Sequence, residues 1–60
     1  MTRWSYTLYR SDEDLDTIQQ SLDSFGQDGW EMVSANVQQF VDEQNQPFDQ
    51  YTFLFKRPIE

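Results

Sequence analysis

The chain has 60 residues, eleven of them Asp or Glu against four Lys or Arg, with no histidine and no cysteine, for a formal net charge of −7. The missing residue types exclude disulfides, thiolate metal sites and the commonest zinc ligand. Four bases argue against direct binding of nucleic-acid phosphates, which takes clustered positive charge. So short a chain makes one domain, spanning residues 1–60, with a small core. Two of the usual supports of small domains remain open to it, self-association and a core of large rings, and ten residues are Phe, Tyr or Trp.

Residues 3–9 read as a strand. Trp4, Tyr6 and Leu8 alternate with Ser5 and Thr7, a period of two that predicts one buried face.

Ser11 is read as the N-cap of a helix over residues 12–28. Asp12, Glu13 and Asp14 would then sit where the helix dipole favours negative charge. Leu15, Ile18, Leu22 and Phe25 form one apolar stripe. Glu13, Asp16, Gln20, Asp23 and Gln27 form the opposite, wholly polar one. Gly29 is preferred to Gly26 as the left-handed C-terminal cap.

Residues 30–41 read as a second strand. Trp30 and Met32 share one parity, while Val33, Ala35, Val37 and Val41 share the other. The change of phase near Met32 and Val33 predicts a bulge or a swap of faces. Asp42 to Pro47 is a polar turn. Residues 48–56 form the last strand, with Tyr51, Phe53 and Phe55 on one face and Thr52 and Leu54 on the other. Apolar character on both faces is expected of a central strand, and Pro58 is expected to end the pairing.

The elements assemble as β-α-β-β, an α+β fold. The expected sheet has three antiparallel strands in the order 1-3-2, with the amphipathic helix on one face. The other face is left bare, and exposed apolar patches mark contact surfaces. A homo-oligomer, formed through that face or an edge strand, is therefore expected.

Gly29-Trp30-Glu31-Met32-Val33-Ser34, just after an amphipathic helix, resembles the signature of the small bacterial domain of unknown function 4177 family. The aromatic strand Trp4 to Leu8, the Leu-containing helix and the close at Phe55-Lys56-Arg57-Pro58 agree with it, so the resemblance covers nearly the whole chain. It implies the same strand–helix–strand–strand domain and carries no activity or functional residues with it.

The main functional expectation is a non-enzymatic protein-interaction module. No His or Cys is available as base or thiolate nucleophile. Asp12, Glu13, Asp14 and Asp16 lack the glycine-bearing loop of a calcium site, so no metal and no cofactor is expected. Between Ser11 and Phe55 there are ten acids and no base. That layout supports an alternative, an acidic inhibitor or nucleic-acid mimic that occupies a basic groove on a partner protein. The more ordinary role of such acids is solvation. A second alternative is a small-molecule sensor with an aromatic pocket between subunits. The candidate partner-binding residues are Glu13, Asp16, Asp23, Trp30 and Glu31. No segment approaches the about 20 apolar residues of a membrane span, and the start of the chain lacks a signal-peptide pattern, so a cytoplasmic protein without a membrane partner is expected.

Overall fold

The apolar stripe Ile18, Leu22 and Phe25 and the ring-bearing positions of the last strand meet to form the centre of the molecule. The structure is a computed structural model and describes residues 1–59. In chain order the elements are β1 (Arg3–Ser11), α1 (Leu15–Gln27), β2 (Glu31–Val41) and β3 (Pro47–Ile59). The sheet is antiparallel in the order β1-β3-β2, with α1 on one face. Both expectations, the α+β class and the central last strand, hold.

The buried core is three side chains: Ile18 from the helix, and Phe53 and Phe55 from β3. Tyr9, Leu22, Phe25, Trp30 and Tyr51 pack around them. Phe25 stacks on Phe55 with ring centroids 4.4 Å apart, and Tyr9 lies 5.4 Å from Phe25 and 5.9 Å from Phe53. Offset rings at such separations add to the stabilisation that their buried area supplies.

The helix begins later than its composition suggests. Asp14, not Ser11, is the N-cap, and its carboxylate accepts from the Thr17 amide at 2.9 Å. Ser11 is instead the last residue of β1, buried, with its Oγ accepting from the Glu13 amide at 3.1 Å. Both residues are good caps, and the buried position opposite Tyr51 claims Ser11 for the sheet. The other end of the helix is as expected. Gly29 has φ +87°, the Trp30 amide donates to the Phe25 carbonyl and the Gly29 amide donates to the Gly26 carbonyl, both at 3.0 Å. This is a Schellman cap, which needs a residue at ease in the left-handed region.

The phase change in β2 is a bulge. Met32 pairs with Phe55 and Ser34 with Leu54, leaving Val33 as the extra residue. The bulge brings Met32 onto the same side as Ala35 and Val37, which pair with Phe53 and Tyr51. The hairpin turn is built by Asp42, whose Oδ1 accepts from the amides of Gln44 and Gln46 at 2.9 and 2.8 Å. Asn45 takes the left-handed position with φ 62°.

Two further expectations fail. Pro58 does not end β3, because it still pairs with Trp4, and the strand runs to Ile59. Past Lys56 the strand has β1 as its only neighbour, and a one-sided strand tolerates a missing amide hydrogen. The Trp4, Tyr6 and Leu8 side of β1 is not the buried one. Ser5, Thr7, Tyr9 and Ser11 lie on the helix side, and Leu8 is 68 % exposed.

Candidate interaction surfaces

The helix does not lie centrally over the sheet. Its ring contacts run to Tyr9 of β1 and to Phe55 of β3, and no residue of β2 is buried. Between α1 and β2 this offset leaves an open apolar groove of about 440 Å³. Leu15, Ile18 and Leu22 line one wall, Ala35 and Val37 the other, and Tyr51 and Phe53 form the floor. Leu15 belongs to the apolar stripe yet stays exposed at the groove mouth, as does Val37 at 52 % exposure.

The opposite face of the sheet is uncovered. Cross-strand partners in an antiparallel sheet project to the same side. Leu8 is paired with Leu54, Tyr6 with Lys56 and Trp4 with Pro58, so these residues share that face. Lys56 Nζ sits 4.3 Å from the Trp4 ring centroid, a cation–π contact. Farther along, Phe40 and Phe48 stack at 5.8 Å near the hairpin turn.

The acids lie mostly elsewhere. Asp16 and Asp23 are exposed on the helix, seven residues and so about 10.5 Å apart along its axis. Asp23 Oδ1 accepts from Gln19 Nε2 at 3.1 Å. Glu13 precedes the helix and is exposed. The Thr17 hydroxyl and then its amide hold the Asp14 carboxyl below the ordinary carboxylate value.

Trp30 and Glu31 stand at the other end of the molecule, at the root of β2. Trp30 is half-buried beneath the Arg57 guanidinium, whose central carbon is 4.2 Å from the ring centroid. Arg57 also donates from Nη1 to the Asp28 carbonyl at 2.8 Å, placing a cation at the negative end of the helix. Glu31 is exposed opposite Lys56. The five residues singled out in the sequence therefore do not converge. Glu13, Asp16 and Asp23 belong to the helix layer, and Trp30 and Glu31 to the clasp that ties β2 to β3.

What the sequence reading did not single out is β2 as the exposed edge. Its signal was present: Met32 to Val41 is an uninterrupted run without a charge, a proline or a glycine. Among the described residues no helix is long and apolar enough to cross a membrane, and no group of three or more acidic side chains is gathered to hold a metal ion. Comparison with protein-family models, curated proteins and solved structures finds no match to this chain.

Proposed function

We propose that this chain is a non-enzymatic protein-interaction module that assembles with copies of itself in the cytoplasm, and that it is a bacterial protein of the domain of unknown function 4177 type. One observation carries the association. Three hydrophobic side chains are buried, while eleven large ones are exposed among the described residues. A domain of this size has little stability to spare, and a core of three residues offsets little of the ordering cost. Association is the remaining way to bury the rest. Sedimentation or light scattering across a wide range of concentration tests it. The expected result is a species larger than the monomer that dissociates on dilution, and a well-folded monomer at every concentration removes the reading.

A second reading rests on the exposed acids of the helix layer. They suit an inhibitor or nucleic-acid mimic that docks in the basic groove of another protein. Attraction between exposed charges is screened by salt, so such binding weakens steeply as ionic strength rises. Self-association of a chain with net charge −7 moves the other way, since salt relieves its repulsion. Charge reversal at Asp16 and Asp23 should abolish mimicry and leave self-association in place. A third reading, a small-molecule sensor with an aromatic pocket between subunits, is served only in part by the groove, which lies within one copy and has mostly aliphatic walls, though its volume falls within the range of about 300–1,000 Å³ typical of ligand sites.

A further inference from the structure

We infer that β2 is the seam of a twofold homodimer, in which the free edges of two β2 strands pair antiparallel and join two sheets into one of six strands. This rests on the association reading above and names the surface that carries it. The strand order across the dimer is β1-β3-β2-β2-β3-β1.

A sheet edge presents a row of unpaired amides and carbonyls that templates another strand. Proteins suppress this with charges, prolines and bulges along the edge. The sheet has two edges, and they differ. β1 carries Arg3 near one end and Arg10 near the other. Arg3 lies on the helix side of this strand and Arg10 on the uncovered side, so each face of the β1 edge carries a charge. Charged side chains along an edge discourage pairing with another strand.

β2 has no such protection beyond the bulge at Val33, close to its root. From Met32 to Val41 it offers no charge at all. A twofold axis perpendicular to the sheet keeps each face on its own side. The axis must then pass through one residue, and the central choices are Asn36, Val37 and Gln38. In each of these registers every pair formed within Ser34 to Phe40 is uncharged. With the axis at Val37, Ser34 meets Phe40, Ala35 meets Gln39 and Asn36 meets Gln38.

The occupant of this edge is a second copy and not a foreign strand because of the charge layout. Nine of the acids lie in the helix layer, the connecting turns and at Asp49, and these surfaces favour a basic partner. The β2 edge favours an uncharged strand that presents small apolar groups to the helix side and amides or hydroxyls to the other. β2 comes close to such a strand, with Ala35, Val37 and Val41 on one side and Ser34, Asn36 and Gln38 on the other, Gln39 and Phe40 being the exceptions. The pairing also sets the two grooves side by side on one face, so that the exposed Val37 of each copy borders that of its partner.

The absence of cysteine from the chain makes a direct test available. Single cysteines are introduced by Asn36→Cys, Val37→Cys and Gln38→Cys, with Tyr6→Cys and Leu8→Cys as controls on β1 and the uncovered face. A disulfide needs Cα atoms about 4.4–6.8 Å apart, a condition met across the seam only by the residue on the axis, which faces its own copy. Mild oxidation should give a covalent dimer from at least one β2 position, in roughly tenfold or greater excess over the controls. In parallel, the double variant Asn36→Lys/Gln38→Lys places guarding charges on the edge. It lowers the net negative charge of each copy, so general repulsion cannot account for a loss of dimer. Its dissociation constant should rise about tenfold or more with the circular dichroism spectrum unchanged. Cross-linking at Tyr6→Cys or Leu8→Cys with none on β2 overturns the seam while preserving association through the uncovered face. A folded wild-type monomer at every concentration overturns both.

Discussion

β2 and β3 are partners in one hairpin, similar in length and both rich in apolar residues, yet they differ in what they bury. β3 contributes Phe53 and Phe55, two of the three core side chains, and has a neighbour on each side. β2 contributes none and has one neighbour. The helix is offset towards β1 and β3, so apolar content alone does not make a residue part of the core. A strand is anchored by what lies over it. β3 carries the fold, and β2 carries surplus surface that the fold does not use.

The contrast can be tested by substitution on either side of it. Phe55→Ala should have the largest effect, because it removes a ring that is 2 % exposed and stacked on Phe25. Such truncations cost about 3–5 kcal/mol, the same order as the whole stability of so small a domain. Urea denaturation should therefore find the variant largely unfolded without denaturant. A cooperative transition near the wild-type midpoint would mean that β3 is not the anchor.

Gly29→Ala comes next and probes the joint between helix and β2. No atom crowds the position, so the cost is that of the left-handed backbone alone, about 1–2 kcal/mol. The thermal midpoint should fall while the Trp30 fluorescence band stays in place, since the ring keeps its contact with Arg57. Val37→Ser should change the unfolding free energy of the dilute monomer by no more than about 0.5 kcal/mol, as for other exposed sites. The same change should weaken self-association. A large loss of monomer stability would show that β2 is more deeply engaged than its exposure indicates.

The smallest expected effect is at Asp14. Its carboxyl titrates below the usual value in the folded chain, so its contribution is complete above the unfolded value of about 3.8 and is lost as pH falls through the lower folded one. Acid titration by circular dichroism should show the helix start fraying below about pH 4. Asp14→Asn, which keeps a capping side chain without a titrating group, should flatten that part of the curve.

Much of this architecture was legible in the residues. Gly29, the bulge at Val33, the turn at Asp42 to Pro47 and the central position of β3 all follow from local chemistry. The misreadings share a cause. Alternation in Trp4, Tyr6 and Leu8 reveals which residues share a side, but not which side the helix covers. Ser11 and Asp14 cap helices comparably well, and the choice between them depends on the reach of β1, a tertiary matter. Pro58 breaks pairing only where two neighbours demand it. The candidate residues Glu13, Asp16, Asp23, Trp30 and Glu31 were chosen for charge and size, whereas the groove arises from the helix offset, which no local pattern encodes.

The two arginines that bracket β1 have a consequence for how far growth can run. A sheet sticky along both margins would add copies without end and become a ribbon or fibril. If β2 is the seam, the charges on the β1 margin discourage joining there, and assembly is expected to halt at a closed pair. On that proposal Arg3 and Arg10 help to keep the pair from growing into a ribbon.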